Sequence, residues 1–345
     1  MAKKVNVYLS SGYLDFAGIL GAGCPLNTIV GGRGTGKTYG FFKHCIEHGL
    51  FFLYLRRSQT QTEIITDREL SPLIPYCMDS GKNYEPYKMR KSIYGIAEVG
   101  EDGEMVGECL GMCTSLSVFA NLRGFSGAQI DIIAYDEFIP EPQERTLKNE
   151  GKAVLNMIET VQRNRELSGK PPVKVVLMAN ADTLENPFFV YNNLIPLALK
   201  QRQEGINCKA YPRRHLLMVD LFDSPISAAK NNTWLYEFAR GTEFADMAID
   251  NSYGGGRDYQ TDSKALIEYR PVVIVGTLCI YKHKDRNEYY VTEHVSGSPP
   301  RYSDDPYGLA SFRAKHKRIY EAYLRKKVKF ESIAVEIRLT EYFGR

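Results

Sequence analysis

The chain has 345 residues, of which 43% are apolar and 25% charged, and its formal net charge is +3 at pH 7. This length suits two domains, and the composition excludes disordered and fibrous classes. No apolar run is long enough to cross a bilayer, and the polar start lacks a signal core. The seven cysteines show no paired spacing, so we expect reduced thiols inside the cell. The small net charge neither requires nor excludes a polyanionic partner.

The first part of the chain predicts a strand, a turn, a helix and a second strand in close succession. Residues 26–30 have the pattern of a short buried strand, and residues 38–48 have helical spacing. Gly49 stands where a C-cap glycine belongs, and residues 50–55 form a second apolar run that ends in Arg56-Arg57. This order predicts a βαβ unit of a parallel sheet.

Two further apolar runs predict central strands that end in polar residues. Residues 130–135 end in Asp136-Glu137, and residues 173–179 end at Asn180, with a helix expected over 152–166. Open α/β sheets bind ligands at the carboxyl ends of their strands. We therefore expect the functional site at this edge.

The rest of the pattern predicts a second domain. Residues 1–200 are expected to form an α/β domain with a central, mostly parallel sheet, and residues 201–255 a linker or lid that ends in a glycine cluster. Residues 256–345 are expected to form a smaller α/β domain. Within it we predict a strand over 272–281 that pairs with 288–294, a basic helix over 309–327 and a last strand over 332–339.

The eight residues after the first strand fit the phosphate-binding pattern G-x-x-x-x-G-K-[ST] in full. Glycines let backbone N–H groups turn toward phosphates, and the following helix presents its positive N-terminus to them. Lys37 is expected to reach the β- and γ-phosphates, and the Thr38 hydroxyl to complete a magnesium shell. A glycine-rich turn that binds nothing is the alternative, which the strand before it and the helix after it disfavour. The predicted ATP-binding residues are Gly31, Gly32, Arg33, Gly34, Thr35, Gly36, Lys37 and Thr38.

The tandem carboxylates supply the rest of the predicted chemistry. Asp136 is the expected second metal ligand, and Glu137 can polarise the attacking water. An ordinary acidic strand end is the alternative. Glu137 in place of a glutamine, and the lack of an Asn-Lys-x-Asp segment, favour ATP over GTP. The sequence thus predicts ATP hydrolysis with ATP and Mg²⁺ as ligands.

Three polar residues near these strands leave alternatives open. Asn180 could sense the γ-phosphate, or it could cap a turn. Arg163 and Arg165 end a predicted helix, where cations suit the helix dipole. The sharper interpretation makes one of them an arginine finger donated to a neighbouring subunit.

Taken together, these motifs resemble a known family. Five segments are similar to the genome-packaging ATPases of small tailed bacteriophages with protein-primed DNA. They are the phosphate loop, Tyr135–Ile139 (Tyr-Asp-Glu-Phe-Ile), Thr160–Glu166 (Thr-Val-Gln-Arg-Asn-Arg-Glu), Asn180 with Asn186–Phe189, and the segment 241–251. The phosphate loop alone is common to many families. The Asp-Glu-Phe-Ile and Arg-Asn-Arg-Glu segments at this distance are more specific.

The resemblance implies an ASCE-type motor that moves double-stranded DNA into a preformed capsid. It implies a homo-oligomeric ring, expected to be a pentamer, at the capsid portal in the host cytoplasm, with a packaging RNA as a further candidate partner. It makes Arg163 a trans-acting catalytic finger. It also implies a ribonuclease-H-like C-terminal domain, and the absence of an acid in residues 272–281 predicts that this domain has no nuclease activity.

Several basic residues are candidates for contact with nucleic acid. The alternative for each is a solvated cationic face. Sequence-independent contact with phosphates is what a translocating motor needs. The candidates are Arg313, Lys315, Lys317, Arg318, Arg325, Lys326, Lys327 and Lys329 in the second domain, and Arg56, Arg57, Lys88, Arg90 and Lys91 in the first.

Three other functions remain open at this stage. A large terminase with a working nuclease would need the missing strand acid. A helicase of the same superfamily would act without a capsid. A protein that uses ATP only as a structural switch has little need of Glu137 as a base.

Overall fold

The computed structural model describes residues 6–119, 127–141, 144–180, 184, 186–240, 266–325, 327–331 and 333–344. The chain divides into two compact units. The first comprises the described residues of Met1–Asn192 and Ala198–Gly255, and the second those of Asn193–Leu197 and Gly256–Arg345. The predicted glycine boundary at 254–256 and the motif at 241–251 lie outside the described residues. In the part of the chain that the structure describes, no helix is long and apolar enough to span a membrane.

The first unit is built on a nine-stranded, mostly parallel sheet. Its strand order is β3-β4-β5-β2-β6-β7-β1-β9-β8, and the six strands from β5 to β9 in this order are parallel. Strands β3, β4 and β8 run antiparallel to their neighbours. The strands are β1 Leu26–Val30, β2 Phe52–Arg56, β3 Asn83–Arg90, β4 Ile93–Val99, β5 Gly111–Ser115, β6 Ile132–Asp136, β7 Lys174–Ala179, β8 Cys208–Tyr211 and β9 Leu216–Asp220.

In the described residues up to 240, ten α-helices connect or flank these strands. They are α1 Phe16–Gly21, α2 Lys37–Glu47, α3 Gln59–Ile65, α4 Ile74–Ser80, α5 Leu116–Phe119, α6 Glu150–Gln162, α7 Pro187–Tyr191, α8 Ile195–Gln203, α9 Pro225–Lys230 and α10 Trp234–Phe238. The predicted βαβ unit and the mostly parallel sheet are confirmed, with β1, α2 and β2 in the expected order.

The register of the parallel strands decides where the site forms. Val30 at the end of β1 is level with Ala179 of β7 and with Asp220 of β9. Asp136 at the end of β6 is level with Met178. The residues that follow these strands therefore share one edge of the sheet. Beneath that edge, Phe41 and Phe42 of α2 pack against the aromatic side chains of β2, which are fully buried because parallel strands are covered on both faces.

The predicted linker over 201–255 is wrong for residues 208–220. These residues form β8 and β9, and β9 pairs in parallel with β1 along its whole length. Their strand signal was missed because turn-forming and charged residues surround them. The apolar run Leu216–Val219 is a fully buried strand of the pattern found in β6 and β7.

The second unit has a five-stranded mixed sheet with the order β13-β10-β11-β12-β14. Strands β10, β11 and β12 are antiparallel, whereas β13 and β14 run parallel to the strands beside them. Its elements are β10 Tyr269–Val275, β11 Leu278–His283, β12 Tyr289–Thr292, β13 Arg301–Tyr302 and β14 Val328–Phe330, with α11 Pro306–Lys315, α12 Lys317–Leu324 and α13 Ile333–Phe343.

Three expectations for this unit are corrected. The single strand predicted over 272–281 is a hairpin, because Gly276 has a φ of 54° and turns the chain between β10 and β11. The basic helix predicted over 309–327 is two helices, because His316 between them has a non-helical ψ of 32°. The last strand predicted over 332–339 is helix α13, whose residues Val335, Leu339 and Tyr342 recur at helical spacing and are buried.

Candidate active site

The phosphate loop has the backbone shape that its glycines predict. Gly34 and Gly36 adopt φ values of 73° and 93°, a region that side chains other than glycine rarely enter. A Cβ atom at Gly31 would lie 2.5 Å from the Cβ of Leu221. The loop therefore depends on glycine at these positions, both for its turn and for its packing on the chain after β9.

Lys37 is held at the centre of the loop. Its Nζ donates to the carbonyls of Gly31 (2.9 Å) and Gly32 (2.8 Å), and it lies 3.3 Å from the Oδ1 of Asn180. Burial lowers the pKa of Lys37 to about 8, although the nearby Asp136 carboxylate acts in the opposite direction. An ammonium that is buried and bonded mainly to neutral carbonyls favours an incoming anion.

Asp136 and Thr38 form the predicted metal-binding pair. The Thr38 hydroxyl donates to Asp136 Oδ2 at 2.9 Å, although the two residues are 98 apart in sequence. The same oxygen accepts from the Tyr54 hydroxyl, and the Arg56 guanidinium lies 3.4 Å from it. A hydroxyl and a carboxylate are the oxygen ligands that Mg²⁺ prefers, so these two residues fit a Mg²⁺ ion.

Glu137 adopts a left-handed backbone conformation, with a φ of 59°. For a residue other than glycine this conformation is costly, and such residues cluster at functional sites. The Glu137 carboxylate is 40% exposed and forms an ion pair with the Arg56 guanidinium, while its N–H donates to Asp136 Oδ1 at 3.1 Å. Both neighbouring carboxylates thus meet the Arg56 guanidinium, while Asp136 also accepts from Thr38 and Glu137 remains partly exposed.

Arg57 fixes the chain at this turn and in the segment that follows it. Its Nη2 donates to the carbonyls of Glu137 (2.9 Å) and Phe138 (3.1 Å). Its Nε lies 3.1 Å from both carboxylate oxygens of Glu150, and its Nη1 donates to Glu144 at 2.6 Å. The side chain is 2% exposed, so its charge is compensated entirely within the protein.

These contacts correct the prediction that Arg56 and Arg57 bind nucleic acid. Both guanidinium groups lie inside the site, where they pair with carboxylates that follow β6. The correction follows from the strand order, because β2 lies directly beside β6 and both strands end at the same edge. Their role as organising residues was missed because that pairing cannot be read from the sequence.

The remaining predicted residues of the loop surround the same cleft. Asn180 follows β7, which lies between β6 with Asp136 at its end and β1 that leads into the phosphate loop, and its amide oxygen faces Lys37. The Arg33 guanidinium forms an ion pair with Glu141, and the Arg33 carbonyl accepts from Lys230. The cleft has a volume of about 1230 Å³ and is closed on one side by the N-terminal segment, which includes Tyr13.

Arg163 lies at the opposite edge of the sheet from the phosphate loop. It follows the last residue of α6, where Gln162 accepts from the Val173 N–H just before β7 begins. The nearby Arg165 donates to the Ile130 carbonyl ahead of β6, at 2.7 Å. The structure therefore places the exposed Arg163 away from the site of its own chain and uses Arg165 to hold the loops at that edge.

The basic residues of the second unit lie on α11 and α12. Arg313 donates its Nε to the Tyr342 carbonyl at 2.7 Å, and Lys315 lies 5.9 Å from the centre of the Tyr302 ring. Lys317 and Arg318 are exposed in the first turn of α12. Lys329 pairs with Glu288 at 3.4 Å, and Lys326 lies outside the described residues. Asp305 accepts from the Gly308 N–H and caps α11.

Comparison with known proteins agrees with this geometry. The family model described as Podovirus DNA encapsidation protein (Gp16) matches residues 10–272. Over 250 residues, or 71% of its length, the chain is 27% identical to the DNA packaging proteins of Bacillus phages B103 and phi29. The aligned segment spans 67% and 65% of those two proteins.

A solved structure extends the similarity of fold to almost the whole chain. The viral genome packaging motor assembly of bacteriophage Phi-29 contains a chain that superposes with a TM-score of 0.64 at 18% identity. The superposition covers 98% of the present chain and 99% of that chain. At this level of identity, the match establishes a common mixed α/β fold with a large, mostly parallel sheet.

The Arg57 network generates a stability prediction. Arg57→Ala leaves Glu150 buried with an unpaired charge, so we expect a loss of about 3–5 kcal/mol in the free energy of unfolding, measured by urea denaturation. The double variant Arg57→Met/Glu150→Gln removes both charges. Its loss in the free energy of unfolding is expected to be smaller than that of Arg57→Ala by at least about 1 kcal/mol. As a control, Arg68→Ala breaks an exposed pair with Glu85 and should cost under about 1 kcal/mol. A loss below about 1 kcal/mol in Arg57→Ala contradicts this role.

Proposed function

Because the chain belongs to the family of podovirus DNA encapsidation proteins, we propose that it is an ATP-hydrolysing motor that moves double-stranded DNA into a preformed capsid. The observation that carries the proposal is the contact between Thr38 and Asp136 beside the buried Lys37. It unites a phosphate loop with a metal-binding carboxylate, and Glu137 stands next to them as a base. A protein that used ATP only as a switch would not need this last group.

The residues of the loop account for ATP binding. The phosphates would occupy the backbone cradle at the start of α2, where N–H groups and the helix dipole favour negative charge. Lys37 would contact the β- and γ-phosphates. Thr38 and Asp136 would hold Mg²⁺, which when bound neutralises charge that develops on the transferring phosphoryl group. Asn180, which accepts from Lys37, is the proposed sensor of the γ-phosphate.

Glu137 is the proposed general base that orients the attacking water. Its Oε2 pairs with the Arg56 guanidinium, so a cation occupies one of the two carboxylate oxygens. We infer that this contact opens when Glu137 accepts from the attacking water, so that the contact is a point at which the ATPase can be held inactive.

The position of Arg163 supports a finger that acts on a neighbouring chain. Within its own chain, Arg163 lies at the sheet edge opposite to Lys37 and Glu137. It can complete an active site only in another copy, which a homo-oligomeric ring supplies. The family resemblance makes a pentamer the expected ring. Such a finger stabilises charge in the transition state and accelerates turnover by roughly 10³-fold or more.

Mixing of inactive variants tests this assignment. Arg163→Ala and Glu137→Gln are each expected to reduce ATPase activity more than about 100-fold, for lack of the finger or of the base. In mixed rings, a Glu137→Gln chain still donates Arg163 to the intact Glu137 of its neighbour, so mixing restores measurable ATPase activity. Arg163→Ala mixed with the double variant Arg163→Ala/Glu137→Gln is the matched control and stays inactive. Full activity of Arg163→Ala alone would contradict the assignment.

Two basic surfaces support contact with DNA. The first is the β3–β4 tip, residues Lys88, Arg90 and Lys91, which is exposed and lies at the same sheet edge as the ATP site. The Thr114 hydroxyl fixes this tip through the Ser92 carbonyl at 2.7 Å. Among the described residues, no carboxylate forms an ion pair with its three cations. The tip is therefore free to meet phosphates.

The second surface is the junction of α11 and α12 in the second unit. Lys317 and Arg318 occupy the first turn of α12, where the helix dipole disfavours cations. An anionic partner at this turn would be favoured both by the dipole and by the side chains. The same chemistry suits DNA or the packaging RNA that the family resemblance suggests.

The ATPase rate with and without long double-stranded DNA at low salt tests the motor. We expect DNA to stimulate ATPase activity, and replacement of Lys88, Arg90 and Lys91 by Ala to reduce this stimulation severalfold without changing the DNA-free rate. The magnitude of the negative slope of log affinity against log salt should decrease by up to about 2.7, because each lost phosphate contact removes about 0.9. The control replaces Arg68 and Lys82, which already pair with glutamates. An ATPase rate indifferent to DNA contradicts the motor, whereas stimulation that survives the triple change excludes the tip.

The remaining assignments follow from the family resemblance. We propose an ASCE-type first domain, a ribonuclease-H-like second domain without nuclease activity, and assembly on the capsid portal in the host cytoplasm. The strand order of the first unit supports the ASCE-type assignment, and the mixed sheet of the second unit supports the ribonuclease-H-like one.

A further inference from the structure

Lys230, the last residue of α9, reaches the phosphate loop from 197 residues away in sequence. Its Nζ donates to the Arg33 carbonyl. A Cβ atom on Gly34 would lie 2.6 Å from the same Nζ, so the ammonium lies directly against this glycine of the loop. None of the motifs in the sequence includes this lysine.

The position of α9 is fixed by the chain on either side of the loop. The Leu221 N–H donates to the Val30 carbonyl at 2.8 Å and extends the pairing between β9 and β1 up to the loop. Ser224 caps α9 by accepting from the Ser227 N–H. The turn at Gly12 packs on Pro225, because a Cβ atom on Gly12 would lie 3.1 Å from the Cβ of Pro225. Lys230 therefore projects from a segment that is tied to the start of the phosphate loop.

Two ammonium groups thus converge on one loop. Lys37 binds the carbonyls of Gly31 and Gly32, and Lys230 binds that of Arg33. Within the described part of the chain, no carboxylate lies within ion-pair distance of Lys230. Burial lowers the pKa of Lys230, and its charge is one of those that lower the pKa of Lys37. The loop therefore carries positive charge that an anion would neutralise.

We propose that Lys230 is a positioning residue of the phosphate loop, which holds the Arg33–Gly34 backbone in its anion-binding shape and adds positive charge for the terminal phosphates of ATP. This inference rests on the proposed ATPase function. It adds a contact in cis that is separate from the arginine supplied by a neighbouring chain.

Three substitutions separate the two parts of this role. Lys230→Ala removes the bond and the charge, Lys230→Gln retains a donor without charge, and Lys230→Arg retains both. We expect Lys230→Ala to raise KM for ATP about tenfold, the effect of one charge-assisted hydrogen bond, with kcat within about threefold of wild type. Lys230→Gln should be intermediate and Lys230→Arg close to wild type. Lys200→Ala, which changes an exposed lysine of α8, is the matched control.

The split between KM and kcat is the readout that a purely structural role would not move. Loss of a contact with the bound phosphates raises KM for ATP and leaves kcat nearly unchanged. Loss of a lysine that only supports the fold would lower kcat as well, and Lys230→Arg would not restore it.

Equilibrium titration with a fluorescent ATP analogue distinguishes failure of this inference from failure of the proposed function. If the wild-type protein neither binds the analogue nor hydrolyses ATP, the proposed function is wrong. If the wild type does both and Lys230→Ala keeps the wild-type KM for ATP, only the role of Lys230 is overturned. An equal loss of kcat in Lys230→Arg and Lys230→Gln also overturns it, since the lysine would then be structural.

Discussion

The bonds from Arg57 to the backbone after β6 are the contacts on which the geometry of the site depends. They hold Glu137 in a left-handed conformation that the chain would not adopt unaided. The guanidinium can remain buried because Glu144 and Glu150 compensate its charge and its donors are satisfied. Without this anchor, the backbone at Glu137 would lose the turn that sets the direction of its carboxylate, whereas Asp136 is held separately by Thr38 and Tyr54.

The charges around the cleft are divided between its two sides. On one side, Lys37 and Lys230 leave the phosphate loop positively charged. On the other side, the single Arg56 guanidinium pairs with both Asp136 and Glu137 and compensates only one of their two charges. In the proposed motor, ATP binding would depend on the two lysines, whereas hydrolysis would depend on the release of Glu137 from Arg56.

The sequence predicts the parts of this site that are local in the chain. The phosphate loop, Asp136-Glu137 and Asn180 each follow a buried strand, and the register of a parallel sheet brings them to one edge. Arg57 and Lys230 could not be assigned in the same way, because their contacts depend on which strands are neighbours. The second unit was harder for a related reason. A single glycine in a continuous apolar run, Gly276, divides it into two strands, and the apolar residues of α13 also fit a strand.

Protection of DNA from nuclease in a mixture of the protein, ATP and empty capsids of the cognate phage tests the account most directly. We expect wild type to protect genome-length DNA, and Glu137→Gln to protect none although it still binds ATP. Wild-type protein that hydrolyses ATP and unwinds a forked duplex, yet protects no DNA in the presence of capsids, would contradict the packaging function and favour a helicase.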